Sequence, residues 1–153
     1  MKNIFLFLLV LAPWFLSSII PIDPNFYYSL KLPFFAPPPI FFAISWTITY
    51  IGIAISIFMV IKDCSWKDIP TSYKKTLLIN YVFNQLFTIV FFYLRSTFLG
   101  FVFSLGTFIS CLFLYEETSN LDEKSTKYLN PYVLLSLFAS VLSLTIYIIN
   151  TLP

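Results

Sequence analysis

Long stretches of the chain carry no charged residue. These uncharged runs cover residues 3–22, 32–61, 76–94, 96–115 and 128–153. Each run reaches or nearly reaches the ~20 residues that a helix needs to cross a hydrocarbon layer about 30 Å thick. Because unpaired backbone groups are costly in lipid, each run is predicted to form a membrane-spanning helix. The runs are continuous rather than alternating, which disfavours a transmembrane β-barrel.

The pattern predicts an all-α integral membrane protein, a bundle of five transmembrane helices that forms a single domain over residues 1–153. Helix ends are predicted where prolines or charged residues interrupt the apolar runs, because proline pushes its preceding residue out of the α region. A loop over residues 21–38 is predicted between the first two helices. The predicted spans are residues 4–20, 39–61, 76–93, 97–114 and 131–150.

The predicted loop 21–38 is unusual in composition, because six of the ten prolines fall between Pro21 and Pro39. Asp23 and Pro24 have the order of an N-cap and a first helical residue, which predicts a short helix over residues 25–30. The remainder is too rich in proline for a helix and too apolar for a water-exposed linker. Composition alone leaves the role of this segment open.

The first residues permit a second interpretation, a secretory signal peptide, because Lys2 is followed by an apolar core. The apolar run continues past Trp14 to Ile20, and no cleavage site of the small-x-small type follows it. A first membrane span is therefore the favoured interpretation.

The distribution of Lys and Arg predicts the orientation of the bundle. Seven of the nine such residues fall on one side of the predicted spans, and only Lys31 and Arg95 fall on the other. Because positive residues concentrate on the cytoplasmic side, the N-terminus is predicted to be cytoplasmic and the loop 21–38 to face outward.

Composition and charge exclude several classes of protein. Only 10% of residues are charged, against roughly 25% in an ordinary soluble domain. The absence of histidine removes the commonest metal ligand and the usual haem ligand, so no metal site or cofactor is predicted. Cys64 in a polar loop and Cys111 inside a span are not expected to pair, and no basic tract indicates nucleic-acid binding. No predicted span contains Asp, Glu, Lys, Arg or His, which disfavours a pump, a proton-coupled carrier or an ion channel.

A polar stripe in the third span is the first candidate for chemistry. Asn80, Asn84 and Thr88 recur every four residues, with Gln85 adjacent. Unpartnered amides are costly in hydrocarbon, so the stripe should face the bundle interior. It serves either to hydrogen-bond neighbouring helices or to offer polar contacts to a ligand.

An aromatic stripe in the second span is the second candidate. Phe42, Trp46 and Tyr50 are also spaced by four, and Trp46 lies about two turns inside the span. Such stripes serve either as packing and interfacial anchors or as a platform for a ligand. Serines at helical spacing in the fifth span, Ser136, Ser140 and Ser143, are typical of close helix packing.

These motifs resemble, in order and spacing, those of the TspO/MBR family, the tryptophan-rich sensory proteins related to the mitochondrial translocator protein. The resemblance covers nearly the whole chain. It is carried by Phe26-Tyr27-Tyr28-Ser29-Leu30, Pro33, Pro37-Pro38, Trp46, Tyr50, Asn80, Asn84-Gln85, Pro131-Tyr132, Phe138-Ala139 and Asn150.

The resemblance implies a five-helix bundle, often dimeric, in which the first loop covers a pocket for porphyrins, sterols and synthetic drug ligands. A stiff, apolar loop 21–38 would suit such a lid. The resemblance implies ten ligand-binding residues: Ser17, Tyr27, Pro37, Trp46, Tyr50, Asn84, Phe87, Thr88, Leu135 and Ala139. Leu135 is included because it occupies the position of a family tryptophan in the wall of the pocket.

The departures from the family pattern bear on function. Leu135 replaces a family tryptophan. In bacterial relatives, that tryptophan and the one matching Trp46 are both linked to light-driven porphyrin breakdown. The expected function is therefore a receptor or transporter-like protein for porphyrins and similar flat apolar ligands in the bacterial plasma membrane. The alternatives are a light-dependent porphyrin-degrading enzyme of low turnover, which Leu135 disfavours, and a passive transporter of apolar metabolites.

Overall fold

The computed structural model describes residues 2–22, 24–62 and 66–151, and within these ranges the chain is helical without any strand. The predicted N-cap Asp23 and the loop cysteine Cys64 lie outside the described residues. The helices are α1 (Lys2–Leu11), α2 (Pro24–Ser29), α3 (Pro39–Ile61), α4 (Thr71–Thr88), α5 (Thr97–Leu121), α6 (Glu123–Thr126) and α7 (Asn130–Thr151).

Four helical stretches are long and apolar enough to cross a membrane: Pro39–Ile61, Thr71–Tyr93, Thr97–Leu121 and Glu123–Thr151. The prediction of an α-helical integral membrane protein is confirmed at this level. The first apolar segment is shorter, Asn3–Ile19, and changes from α-helix to a 3₁₀ helix over Ala12–Ile19. Pro13 explains the change, because proline cannot donate the next α-helical hydrogen bond and its ring clashes with the preceding turn.

The ends of two helices differ from the predicted spans. α4 begins at Thr71, directly after Pro70, whose backbone is extended at the N-cap position. α5 continues to Leu121, through a stretch with two glutamates that was predicted as loop. Charge limits how much of a helix can lie in hydrocarbon, but it does not prevent the helix from continuing into water.

A π turn, Ile89–Tyr93, follows α4 directly, and sequence reasoning did not anticipate it. Within it the N–H of Leu94 donates to the carbonyl of Ile89, five residues back, at 2.9 Å. The chain then reverses at Arg95, the one non-glycine residue among those described with positive φ, at 51°.

Helix α5 packs against both α4 and α7, and α3 lies between α1 and α7. Glycines allow the close approach of α5 to the α4 segment. A β-carbon at Gly106 would collide with the Phe83 ring, and one at Gly100 would collide with the Phe91 ring. These pairs explain why small residues recur on α5.

The two ends of the bundle are packed differently. We call the end with the α3–α4 connection the lysine-rich end, and the end with residues 21–38 the proline-rich end. A buried cluster fills the half toward the lysine-rich end, with Trp14, Ile57, Tyr73, Leu114 and Leu129 among its members. The half toward the proline-rich end instead encloses a cavity.

The proline-rich segment, residues 21–38, lies against the end of the bundle. Phe26 of α2 contacts Phe91 in an edge-to-face arrangement, with ring centroids 5.6 Å apart. Phe35 contacts Phe138 of α7 at 6.3 Å, and the backbone of Lys31 pairs with Asn150. The segment is therefore attached both to the π turn and to α7.

Candidate functional site

A cavity of about 430 Å³ lies inside the half of the bundle that adjoins the proline-rich segment. The 3₁₀ segment, α2, α3, α4 with its π turn, α5 and α7 all contribute to its wall. None of the described lining residues is charged. The residues that decide its shape and chemistry are Ser17, Tyr27, Tyr28, Phe42, Trp46, Tyr50, Asn84, Phe87, Thr88, Phe91, Phe92, Ser104, Thr107, Ser136, Ala139 and Ser143.

One wall of the cavity is the aromatic stripe of α3. Phe42, Trp46 and Tyr50 all line the cavity, because residues spaced by four share one helix face. The Trp46 ring lies 5.6 Å from the ring of Tyr50 and 6.2 Å from that of Tyr132. The indole is thus supported from behind, while part of its surface faces the open space.

The facing wall comes from α4 and the π turn. Phe87 and Phe91 stack nearly parallel, with centroids 5.4 Å apart and an angle of 9° between the ring planes. Phe92 meets Phe91 edge to face at 4.9 Å. Both rings line the cavity from the π turn. Phe91 and Phe92 follow Phe87 and Thr88 by four residues, so helical spacing could have identified them, but the family resemblance did not name them.

The deep end of the cavity is a hydrogen-bonded polar network. The hydroxyl of Tyr50 donates to Oδ1 of Asn84 at 3.0 Å, and Nδ2 of Asn84 donates to the hydroxyl of Tyr132 at 3.5 Å. That hydroxyl in turn donates to Oδ1 of Asn80 at 2.8 Å. Nδ2 of Asn80 donates to two groups of α5, the Thr107 carbonyl at 3.1 Å and the Ser110 hydroxyl at 2.9 Å.

The two interpretations of the polar stripe therefore apply at different depths. Asn80 is fully buried and bonds only to neighbouring helices, whereas Asn84 and Thr88, one and two turns further on, line the cavity. Gln85 connects the stripe to the 3₁₀ segment: Oε1 accepts from the N–H of Ser17 at 2.9 Å, and Nε2 donates to the carbonyl of Trp14 at 3.2 Å. The network fixes the floor and leaves Asn84 at its surface.

Tyr27 supplies the other notable polar group. Its side chain is 8% exposed, it lines the cavity from α2, and its hydroxyl has no hydrogen-bond partner among the described residues. Burial raises the pKa of the Tyr27 phenol above its ordinary value, with a smaller contribution from neighbouring Tyr28. The hydroxyl therefore stays protonated at neutral pH and is available to donate. A buried donor without a partner costs about 1–3 kcal/mol, so an acceptor supplied by a ligand would be favoured there.

The structure brings eight of the ten predicted ligand-binding residues to this one cavity. The eight are Ser17, Tyr27, Trp46, Tyr50, Asn84, Phe87, Thr88 and Ala139. Pro37 and Leu135 are not part of the described wall. Pro39, the first residue of α3, lines the cavity in place of Pro37, and α7 turns Ser136 rather than Leu135 toward it.

The serines of α5 and α7 divide between packing and cavity wall. Ser140 packs, because its hydroxyl donates across the interface to the Ser104 carbonyl at 2.9 Å. Ser136 and Ser143 line the cavity, whereas the spacing of these serines is typical of close helix packing. No group of three or more His, Cys, Asp or Glu residues among those described could hold a metal ion. The apolar lining with a few polar groups suits the cavity to an apolar molecule with few polar groups.

Comparison with known proteins agrees with this architecture. The model of the TspO/MBR family matches residues 5–148. The Tryptophan-rich protein TspO of Bacillus cereus is 35% identical over 97% of each chain. A protein of the same name from Archaeoglobus fulgidus is 28% identical over 82% of this chain and 80% of its own, and the Uncharacterized membrane protein YtaB of Bacillus subtilis is 33% identical over 85% and 83%.

Proposed function

Because the chain belongs to the TspO/MBR family of membrane proteins, we propose that it is a receptor for porphyrins and similar flat apolar molecules, which it holds in the cavity of the helix bundle. The observation that carries this proposal is the composition of the cavity. Its walls are aromatic, it has no charged residue among those described, and it presents Tyr27 from the proline-rich segment and Asn84 at the deep end. Few, well-placed polar groups in an apolar cavity are typical of small-molecule sites.

The buried hydroxyl of Tyr27 supports a ligand with a polar edge. Porphyrins combine a flat apolar ring with carboxylates at one side, and a carboxylate would accept from the phenol. The rings of Trp46 and Phe87 would contact the flat face, because aromatic side chains bury large apolar areas with little loss of side-chain entropy. The ligand class is our proposal and rests on this complementarity together with the family membership.

We propose five membrane spans, with Asn3–Ile19 as the first. Its α-helical part and its 3₁₀ part together rise about 30 Å, because a 3₁₀ helix rises ~2.0 Å per residue against ~1.5 Å in an α-helix. That length suffices for a hydrocarbon layer about 30 Å thick. The Lys and Arg distribution supports a cytoplasmic lysine-rich end, in the plasma membrane of a bacterium.

The proline-rich segment is proposed as the lid of the cavity. It contributes Tyr27 and Tyr28 to the wall and is attached at Phe91 and Asn150. Prolines reduce the freedom of the segment before binding, so less entropy is lost when it closes over a ligand. A ligand would enter by displacement of this lid rather than from the opposite end, which the buried cluster fills.

A receptor is favoured over the two alternatives by two observations. The cavity ends at the hydrogen-bonded floor, and the half of the bundle beyond it is packed, which gives a transported molecule no open route among the described residues. Trp46 is the one tryptophan of the described wall, whereas Trp14 lies behind Tyr50 at 5.9 Å. Light-driven breakdown would then have a single indole in contact with the ligand.

The proposal is tested by filling the cavity. In purified protein reconstituted into lipid nanodiscs, Ala139→Trp should weaken protoporphyrin binding by at least about tenfold, because the indole occupies the ligand volume. Leu134→Trp is the matched control on the same helix, since Leu134 is 69% exposed on the outer surface. Binding is followed by the shift of the porphyrin absorption band in the dark.

Thermal unfolding of each variant separates a blocked site from an unfolded protein. If Ala139→Trp does not fold, Ala43→Trp provides a second blocking variant, because Ala43 also lines the cavity but is exposed. Parent-like affinity in a folded blocking variant would mean that porphyrin binds elsewhere, and the proposed site would be rejected.

A further inference from the structure

A second recess lies on the outer surface of the bundle, toward the lysine-rich end and away from the ligand cavity. It is a groove of about 300 Å³ between α1, the end of α3 and the first half of α4. Its floor is formed by Trp14 and Ile57, and its sides by Val10 and Leu78. Leu78 is 61% exposed, so in a membrane the groove opens toward lipid.

A hydrogen bond lies at one end of the groove and a cation at the other. The hydroxyl of Tyr81 donates to the carbonyl of Pro13 at 3.0 Å, and both residues line the groove. Lys74, two turns earlier on α4, lines the opposite end, with its ammonium 5.4 Å from the centre of the Trp66 ring. Trp66 is 51% exposed, as expected for an aromatic residue at a membrane interface.

The dimensions select the kind of molecule that fits. Lys74 and Tyr81 are seven residues apart on one helix, which is about 10 Å. A volume of about 300 Å³ over that length corresponds to a mean cross-section of about 30 Å². A single alkyl chain fits within this section, whereas a helix of a partner protein, about 10 Å in diameter, would cover the groove without filling it.

We propose that this groove binds one acyl chain of an anionic glycerophospholipid, with the lipid phosphate at the Lys74 ammonium. The apolar length of the groove takes the chain, and the cation at its polar end supplies the complementary charge. The long apolar stem of Lys74 allows its charge to reach the headgroup level while the methylenes remain against the groove. Six of the seven Asp and Glu residues fall on the same side of the bundle as seven of the nine Lys and Arg residues, so the preference for anionic over neutral lipid comes from the local charge of Lys74 and not from the net charge of that side.

The position of the groove implies a structural consequence. Trp14 forms part of its floor and also contacts Tyr50, whose hydroxyl belongs to the polar floor of the ligand cavity. An acyl chain in the groove would therefore pack against the back of the wall that the proposed ligand contacts. The lipid site itself does not depend on the identity of that ligand.

Tryptophan quenching by brominated lipids tests the proposal in the full chain. In the Trp46→Phe background, the two remaining tryptophans, Trp14 and Trp66, both line the groove. The protein is reconstituted in phosphatidylcholine with increasing fractions of dibromo-acyl phosphatidylglycerol or dibromo-acyl phosphatidylcholine. Half-maximal quenching should occur at about fivefold lower mole fraction of the anionic lipid, the preference expected from one lysine near the surface.

Two lysine variants separate a site from diffuse surface charge. Lys74→Gln should abolish the preference for phosphatidylglycerol, while Lys75→Gln should retain it, because Lys75 is exposed and does not line the groove. Equal quenching by the two lipids before substitution, or equal loss in the two variants, would overturn the proposal. Quenching that depends on the protein-to-lipid ratio at fixed lipid composition would identify a second copy of the chain as the occupant and would also overturn it.

Discussion

The side chain of Asn150, in the last turn of α7, pairs with the backbone of Lys31 across 119 positions of sequence. The N–H of Lys31 donates to Oδ1 at 2.9 Å, and Nδ2 donates to the Lys31 carbonyl at 2.9 Å. The second hydrogen of Nδ2 is directed to the carbonyl of Ile146 at 2.8 Å, which holds the amide in place. One asparagine thus joins the proline-rich segment to the end of the bundle.

This pairing predicts that Asn150 controls how fast a ligand leaves. Asn150→Ala removes both bonds to the segment and should accelerate protoporphyrin dissociation about three- to tenfold, since a net hydrogen bond contributes about 0.5–1.5 kcal/mol and water partly replaces exposed ones. Thr151→Ala, at the exposed neighbouring residue, is the control. Dissociation is measured by stopped-flow absorbance after the porphyrin-loaded protein is mixed with an excess of another, ligand-free porphyrin-binding protein, which takes up the released porphyrin. Identical dissociation rates in the two variants would rule out a lid held at Asn150.

Tyr27→Phe is predicted to change stability and affinity in opposite directions. Removal of a buried hydroxyl without a partner should raise the free energy of unfolding of the ligand-free protein by about 1 kcal/mol. The same change should weaken binding of a porphyrin that bears carboxylates, and leave unchanged the binding of an analogue without them. Chemical denaturation and absorbance titration provide the two measurements; a loss of stability in the variant would indicate that the hydroxyl is already bonded.

The pH dependence of binding follows from the same residue. Burial raises the pKa of Tyr27 above its ordinary value of 10.0, so the phenol remains a proton donor throughout the neutral and mildly alkaline range. Affinity of the parent protein for a ligand that is fully ionised should therefore be constant between about pH 7 and 9, well below that pKa. A fall in affinity over this interval that is absent in Tyr27→Phe would contradict the assignment.

Gly100 is predicted to set the width of the cavity through Phe91. A β-carbon at Gly100 would meet the Phe91 ring, which can relieve the overlap by moving toward the cavity. Gly106→Ala is a matched control on the same helix, because it overpacks Phe83, which is not part of the described wall. Both variants should lose about 1–3 kcal/mol of stability from overpacking, but only Gly100→Ala should lose affinity for protoporphyrin. Equal affinity losses would show a general effect of destabilisation.

The parts of the fold that sequence predicted are those set by repeating local patterns. The spacing of Phe42, Trp46 and Tyr50 determines one face of α3 whatever its neighbours are, and the absence of charge defines the apolar helices. The family resemblance is confirmed by the match over residues 5–148. Eight of the ten residues that it named line the cavity, because motif residues of one family occupy equivalent places.

The features that sequence did not predict depend on contacts between distant segments. The π turn at Ile89–Tyr93 forms where Phe91 packs into the space at Gly100, and local propensity contains no information about that space. Asn80 and Asn84 are both asparagines on one helix face. Their roles differ because the cavity extends as far as Asn84 and does not reach Asn80. Pro37 and Leu135 were carried over from the family motif, and a motif position does not determine which side of a turn faces the cavity.

The position of Leu135 leads to the prediction that concerns light. By resemblance, porphyrin breakdown in related proteins involves two tryptophans, and here Leu135 occupies the place of one of them. Since Leu135 is not part of the described cavity wall, Leu135→Trp should increase light-driven porphyrin loss little, even though it restores the family residue. Phe42→Trp should increase it more, because Phe42 lines the cavity beside Trp46 and the added indole would contact the ligand.

The rates are compared as loss of the porphyrin absorption band under equal illumination, with Trp46→Phe as the low reference and with bound porphyrin matched between samples. Rapid protein-dependent loss in the parent would show that Trp46 alone suffices and would favour the enzyme over the receptor. A larger gain in Leu135→Trp than in Phe42→Trp would place residue 135 against the ligand and would revise the wall described above.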